Sequence, residues 1–218
     1  MDELKTTLTP IKEKKDLHLM RKIWHCLPGL ALVTIIYNEW LPHYLLVLLL
    51  GLGFLAVSAA ELLRLNYKQF NRLTIHFSKH IMRKEELKNI SGVPYYLGSC
   101  FLVLLIFNTH IATLSILYLA LGDPFASFMG IKYGEGSHKF ANGKSIVGTL
   151  GGITICMVST MVYGTLVGWE MGTIFPMAFF GGIAGGLSET FVIDDINDNL
   201  FIPLVNAAAL SIVYANMI

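Results

Sequence analysis

The chain has 218 residues, of which 54% are hydrophobic and 14% are charged, and its formal net charge is +1. Soluble domains carry about 25% charged residues, so the composition excludes an ordinary soluble protein and predicts an all-α, polytopic integral membrane protein. The three cysteines, Cys26, Cys100 and Cys156, lie in or beside apolar runs without C-x-x-C spacing. We expect packed free thiols rather than a disulfide framework or a metal site.

The chain divides into a polar, basic arm over residues 1–22, without a signal-peptide pattern, and a transmembrane domain over residues 23–218. Apolar runs predict about seven transmembrane helices. They lie at about 23–37, 43–63, 93–107, 111–129, 146–167, 174–192 and 200–217. Glycines spaced four apart in the fifth and sixth runs, at 148/152, 181/185 and 182/186, predict close helix packing.

Residues 64–90 alternate basic and apolar side chains, and Leu73, Phe77 and Ile81 recur every four residues. This pattern predicts an amphipathic helix on an anionic membrane surface. The alternative is a solvated basic loop.

The positive charges define the topology. When the gaps between seven spans alternate sides, all 16 Lys and Arg fall on one side, in residues 1–22, 64–92 and 130–145. The positive-inside rule makes this side cytoplasmic. Residues 193–199, which carry an acidic cluster, fall on the same side. We therefore expect the chain's polar motifs to meet at the cytoplasmic face.

Asp123 lies toward the end of the fourth apolar run, and Pro124 follows it. A carboxylate inside the membrane boundary is costly and usually faces a cavity and a partner. The functional interpretation is a metal ligand or a group oriented toward phosphate, and the alternative is an interfacial residue at a helix end.

The loop at 130–145 combines glycines with lysines and ends in Gly143-Lys144-Ser145. This ending is similar to a P-loop, but His138 stands where that pattern requires glycine. Flexible glycine backbone, lysines and the N-terminus of the fifth span together predict an anion-binding site. The alternative is that the lysines only set the topology. The candidate residues of this loop are Lys132, Lys139, Lys144 and Ser145.

The last polar gap holds Asp194, Asp195 and Asp198 with Asn197 and Asn199. Carboxylates this close repel one another unless a cation neutralises them, and hard oxygen ligands suit Mg²⁺. A solvated acidic loop is the alternative.

Arg21 and His25 lie four residues apart, so they share one side of the first helix. They could bind a lipid phosphate or a nucleotide phosphate. Membrane anchoring would also explain Arg21, and His25 could be a satisfied core histidine.

These motifs together resemble the polyprenol kinase family, which includes dolichol kinase, phytol kinase and CTP-dependent diacylglycerol kinase and is related to phosphatidate cytidylyltransferases. The resemblance covers residues 20–218. The segments that carry it are Arg21-Lys22-x-x-His25, Gly122-Asp123-Pro124-x-Ala126-Ser127, Lys139 with Lys144-Ser145-x-x-Gly148-Thr149, and Asp194-Asp195-x-x-Asp198-Asn199-x-x-x-Pro203.

The resemblance implies transfer of phosphate from CTP or ATP to the hydroxyl of a membrane lipid alcohol such as diacylglycerol, a polyprenol or phytol. It implies Mg²⁺ held by Asp195 and Asp198, with or without Asp123. Asp123 or Asp194 would orient or deprotonate the acceptor, and Lys144 would stabilise the developing charge. The expected nucleotide-binding residues are Arg21, His25, Lys132, Lys139, Lys144, Ser145 and Asn199.

Two other functions remain open at this stage. Phosphatidate cytidylyl transfer would use the same donor, although the acidic ending of many cytidylyltransferases is absent. A cation transporter would need acids in the middle of the spans, whereas here the polar groups gather at one face. We expect no nucleic-acid partner and leave homo-oligomers open. The expected location is the cytoplasmic membrane of a prokaryote or the endoplasmic reticulum, with the active site on the cytoplasmic face.

Overall fold

The structure is a computed structural model that describes residues 19–78, 81–191 and 196–217. These residues form nine α-helices and no strand. The helices are α1 (Leu19–Tyr37), α2 (His43–Asn66), α3 (Lys68–Ser78), α4 (Gly92–Ile106), α5 (Thr109–Leu117), α6 (Asp123–Tyr133), α7 (Ile146–Leu166), α8 (Met171–Thr190) and α9 (Asp198–Ala215). A 3₁₀ turn spans Glu85–Leu87, and a π-helical turn over Tyr118–Gly122 joins α5 to α6.

Six helical stretches among the described residues are long and apolar enough to cross a membrane: α1, α2, Thr109–Tyr133, α7, α8 and α9. The apolar helix α4 has 15 residues and supplies a seventh element, shorter than the roughly 20 residues of a full span. The predicted all-α membrane fold is confirmed, and the seven predicted runs correspond to these seven elements.

Polar side chains cap the helices that follow the gaps between spans. Ser91 accepts a hydrogen bond from the Val93 N–H at the start of α4, and Asn108 accepts one at the start of α5. Ser145 caps α7 by accepting from Gly148 N, and Asn197 caps α9. Such caps satisfy backbone N–H groups that have no partner within the helix, so the side chains at these gaps fix where the spans begin.

Glycine lets α7 and α8 pack closely. A Cβ atom built on Gly186 would lie 2.8 Å from the backbone N of Ile153 and 2.9 Å from the carbonyl O of Thr149. One built on Gly152 would lie 3.4 Å from the Gly186 Cα. The predicted close packing of these spans is confirmed, and so are the free thiols of the three cysteines.

The predicted amphipathic helix is present but shorter than residues 64–90. Helix α3 ends at Ser78, and the described chain resumes at Ile81 as irregular backbone with the 3₁₀ turn. On α3, Leu73 and Phe77 are 55% and 77% exposed, as expected of a helix that lies on a membrane surface. We call residues 81–91 the connecting segment. Its conformation differs from the prediction because an ion pair ties it to α1 and hydrogen bonds of buried charged side chains tie it to α2.

Candidate functional site

Asp123 stands directly after the π-helical turn within the stretch Thr109–Tyr133. Such turns are rare in proteins, and those that occur are frequently found at functional sites. Pro124 follows at the first turn of α6, where its missing N–H leaves no bond unmade. From α1, the Lys22 ammonium donates to Ser127 Oγ at 2.6 Å and to the Pro124 carbonyl at 3.3 Å. These bonds fix the start of α6, and with it Asp123, against α1.

A polar cavity of about 580 Å³ opens beside Asp123. Its walls come from α1, the connecting segment and the starts of α4, α6 and α9. The wall residues used below are Arg21, His25, Arg83, Asp123, Asp198 and Asn199. The fold thus brings five of the sequence-predicted site residues to one cavity, although Asp123 and Asp198 are far apart in the chain. Asp194 and Asp195 lie outside the described residues.

The lysine loop does not line this cavity. Lys132 and Lys139 are exposed, and the Lys132 ammonium lies 5.3 Å from the centroid of the Phe128 ring. Lys144 Nζ pairs with the Glu189 carboxylate at 2.9 Å and also contacts the Glu189 carbonyl. Ser145 is buried as the cap of α7. Nucleotide binding by these four residues stays a prediction.

The ion pair of Lys144 with Glu189 nevertheless lies close enough to the polar cavity for the charges of Asp123 and Asp198 to act on Glu189. The lysine loop is also attached to the end of α8 by the Asn142 amide, which donates to the Thr190 carbonyl. The loop is therefore a neighbour of the cavity rather than one of its walls.

Arg21 makes a two-pronged ion pair with Glu86, with both N–O distances at 2.8 Å. Glu86 also accepts hydrogen bonds from the backbone N–H groups of Arg83 at 2.8 Å and Gly92 at 3.1 Å. Burial disfavours the charged form of Glu86, but the hydrogen bonds and positive charge of Arg21 outweigh it and hold the pKa of this carboxyl below its usual value. Arg21 therefore anchors the connecting segment as well as lining the cavity.

Hydrogen bonds from an ion pair within α2 hold the connecting segment from the other side. Arg64, which is 1% exposed, pairs with Glu61 at 2.7 Å. Its guanidinium also donates to the carbonyls of Glu86 at 3.0 Å and Asn89 at 2.7 Å, while Glu61 accepts from Ser91 N at 2.8 Å. The segment is thus tied to both α1 and α2.

Arg83 is a cavity residue that the sequence did not single out. Its Nε is buried and has no hydrogen-bond partner within the described ranges. Burial, followed by the positive charge of Arg21, lowers the pKa of Arg83, and the negative charge of Asp123 partly offsets this effect. In the sequence Arg83 was one of several cations in a basic stretch, and no local signal separated it from the others.

His25 lies beside Asp123, with 3.8 Å between His25 Nε2 and Asp123 Oδ2. Its Nε2 is buried and has no hydrogen-bond partner in the described part of the chain. The imidazole packs edge-on against Tyr96 at 4.9 Å between ring centroids, and the Tyr96 hydroxyl donates to the His25 carbonyl at 3.2 Å. The polar edge of His25 is thus left facing the cavities.

A second, apolar cavity of about 350 Å³ adjoins the first. The two share five wall residues: Arg21, His25, Glu86, Gly92 and Asn199. The remaining wall comes from α1, α3 and α4, from Glu61 on α2 and from the connecting segment. A Cβ on Gly92 would lie 2.5 Å from Asn199 Nδ2, and this amide donates to the Gly92 carbonyl at 3.0 Å. A larger residue at position 92 would displace the Asn199 amide from this bond, where α4 meets α9 at the shared wall.

The described residues include no group of three His, Cys, Asp or Glu that could hold a metal ion. Asp123 and Asp198 do face the same polar cavity, together with the amides of Asn197 and Asn199. Mg²⁺ is usually held by one or two protein carboxylates with substrate phosphates and water. The donors present fit that arrangement.

Most of the chain is similar in sequence to known proteins. The CTP-dependent diacylglycerol kinase 1 of Schizosaccharomyces pombe is 30% identical in an alignment of 170 residues that covers 74% of this chain and 78% of that protein. The chain belongs to the family of this kinase. The proteins of the same name from Saccharomyces cerevisiae and Eremothecium gossypii are 25% and 26% identical, and the matches cover 86% of this chain and 70% and 64% of theirs. No family model matches the chain, and no solved structure matches it.

The family membership confirms the predicted resemblance to polyprenol kinases and the predicted class of enzyme, a nucleotide-dependent lipid kinase. The cytidylyltransferase alternative gains no support from these relatives.

Proposed function

We propose that this chain transfers the γ-phosphate of CTP to the free hydroxyl of diacylglycerol, giving phosphatidate and CDP, at the cytoplasmic face of the membrane. The names of the three relatives support this donor and this acceptor. The structural observation that carries the proposal is the pair of joined cavities, one polar beside Asp123 and Asp198, the other apolar. A charged nucleotide and a lipid alcohol require that combination.

Asp123 and Asp198 are the described carboxylates that would hold Mg²⁺, with Asp195 as the further ligand expected from the sequence. When bound, the ion neutralises charge on the phosphate oxygens as the transfer proceeds. The chain's own residues bind the nucleotide and position the acceptor.

Arg83 and the start of α9 are suited to binding the phosphates. The buried Nε of Arg83 has no partner among the described residues, and hydrogen bonds from arginine to phosphate are strong because both groups are charged. The start of α9, with Asn199 in it, directs the positive end of the helix dipole toward the same cavity. Phosphoryl transfer depends mainly on positioning and electrostatic stabilisation, and these groups supply both.

The acceptor hydroxyl has to lose its proton as the new P–O bond forms. The sequence offers Asp123 and Asp194 for this role. Of these two, only Asp123 lies among the described residues. It lines the polar cavity next to His25, and His25 lines both cavities.

The reaction is tested by incubating purified protein with CTP or ATP, labelled at the α- or γ-phosphate, and with diacylglycerol, a polyprenol, phytol or phosphatidate as acceptor. We expect γ-label in phosphatidate and release of CDP. Release of pyrophosphate with α-label in the lipid would identify a cytidylyltransferase and overturn the proposal. Preference for ATP, or for a polyprenol or phytol, would leave a lipid kinase with a different donor or acceptor.

The site is tested with Asp198→Asn, which keeps the side-chain size and removes the charge. We expect turnover to fall by about 100-fold or more, with the melting temperature in detergent within a few degrees of wild type. Glu170→Gln is the control. Glu170 is an exposed carboxylate that directly precedes α8, at the end of that helix away from Asp198. Wild-type turnover in Asp198→Asn would show that the polar cavity is not the phosphate site.

A further inference from the structure

We propose that the apolar cavity binds the glycerol-proximal part of one acyl chain of the lipid acceptor, which enters from the bilayer between α1, α3 and α4. This inference rests on the proposed function, in which the acceptor is diacylglycerol, and adds where that lipid binds.

The polar groups in the wall of the apolar cavity already have partners in the protein. Arg21 is paired with Glu86 and Glu61 with Arg64. The hydroxyl of Thr74 donates to the Phe70 carbonyl at 3.0 Å, and that of Ser78 donates to the Thr74 carbonyl at 2.6 Å. A wall that offers few free donors or acceptors favours an apolar occupant.

His25 is the exception in this wall. Its Nε2 is buried without a partner among the described residues, and it lies where the apolar cavity meets the polar one. An unpaired buried polar atom is costly, and an alcohol oxygen of the ligand would satisfy it. The lipid is therefore oriented with its hydroxyl end at His25 and Asp123 and its acyl chain away from them.

The helices around the cavity expose apolar side chains on their outer surfaces. Trp24 on α1 is 56% exposed, Val93 on α4 is 45% exposed, and Phe77 on α3 is 77% exposed. Trp24 and Val93 also line the cavity. These surfaces lie next to lipid in a membrane, so an acyl chain meets apolar side chains along the whole route from the bilayer into the cavity.

The volume limits how much of the lipid is bound. A cavity of about 150 Å³ accommodates a benzene ring, and small-molecule sites range from about 300 to 1,000 Å³. The 350 Å³ of this cavity has room for a segment of one acyl chain and not for two long chains. The rest of the lipid then stays in the bilayer, which lets the product leave sideways.

The test uses a diacylglycerol with a photoreactive diazirine in one acyl chain near the glycerol, added to the purified full chain without nucleotide. We expect crosslinks on the α1, α3 and α4 residues that line the cavity, displaced by unlabelled dioleoylglycerol. Leu97→Trp fills the cavity from α4, and Leu105→Trp is the control, because Leu105 is 56% exposed on the same helix and does not line the cavity.

In Leu97→Trp we expect crosslinking to fall, and KM for dioleoylglycerol to rise, by about tenfold, while KM for CTP stays within about twofold of wild type. Thr74→Phe fills the cavity from the surface helix α3 and should give the same result if Leu97→Trp folds poorly. Crosslinks confined to the outer helix surfaces, or unchanged crosslinking in both cavity variants, would overturn the proposal.

Crosslinking of the lipid does not depend on phosphoryl transfer. Failure of the proposed lipid site can therefore be distinguished from failure of the proposed function. Phosphorylation of diacylglycerol with crosslinks elsewhere leaves the proposed function and removes this site. Crosslinks in the cavity without phosphorylation leave a lipid site and remove the proposed function.

Discussion

At the residue scale, the proposed nucleotide binding depends most directly on Arg83, whose buried Nε atom lies in the wall of the polar cavity. An N–H group buried without a partner costs about 1–3 kcal/mol. Neither Asp123 nor Asp198 forms a hydrogen bond with this Nε atom, although the negative charges of both favour the charged form of Arg83. A phosphate oxygen of a bound nucleotide would provide the missing partner.

Replacing Arg83 by Gln is expected to raise KM for CTP by about 10- to 100-fold, because a hydrogen bond to a charged group contributes about 1.5–3 kcal/mol. KM for diacylglycerol should change little, since Arg83 does not line the apolar cavity. Steady-state kinetics with each substrate varied in turn measure both values. Arg72→Gln removes an exposed cation of α3 as the control. An unchanged KM for CTP in Arg83→Gln would contradict the assignment.

At the scale of elements, the connecting segment shows why a local pattern was insufficient. The apolar period through Leu73, Phe77 and Ile81 correctly predicted α3. It could not show where the helix ends, because the groups that shape the segment come from Arg21 on α1 and Arg64 on α2. In the sequence nothing marks Arg21 as the partner of Glu86, or Arg64 as a residue that binds this segment. Their pairing depends on contacts between distant parts of the chain.

The ion pair of Glu86 with Arg21 should make stability depend on pH. The pKa of Glu86 is lower in the folded protein than in the unfolded chain, where it is about 4.3. The stabilisation is therefore present above the unfolded-state pKa and is lost as the pH falls through the folded-state pKa. The connecting segment is the element that loosens when this carboxyl is protonated.

Glu86→Gln is expected to lower the free energy of unfolding at pH 7 by about 2–4 kcal/mol. Because the Arg21 side chain is 20% exposed and solvent screens the ion pair, we expect a value in the lower part of that range. The difference from wild type should be constant above about pH 5 and shrink below about pH 4. Unfolding in detergent at several pH values measures it. Glu85→Gln changes the exposed neighbouring carboxylate and should show no such dependence. A difference that does not vary with pH would argue against the ion pair.

At the scale of the whole molecule, hydropathy and charge predicted most of the arrangement. The spans lie where the apolar runs predicted them, since a bilayer sets helix length directly. Asp123, Asp198 and Asn199 meet at one cavity because alternating spans bring the end of the fourth apolar run and the last polar gap to the same side. The lysine loop was less predictable. Lys144 pairs with Glu189, which lies far along the chain in α8. Ser145 caps α7, and the sequence Gly-Lys-Ser is compatible with this cap as well as with phosphate binding.

The topology itself remains a prediction that the proposed function requires, because CTP is supplied from the cytoplasm. Glu135→Cys places a thiol in the exposed loop after α6, and Asn38→Cys places one in the exposed turn after α1. A membrane-impermeant maleimide applied to sealed, right-side-out cells should label Asn38→Cys at once and Glu135→Cys only after permeabilisation. The native thiols provide a low background, since Cys100 and Cys156 are buried and Cys26 is half-buried. The opposite labelling pattern would place both cavities on the far side of the membrane from CTP and would contradict the proposed reaction.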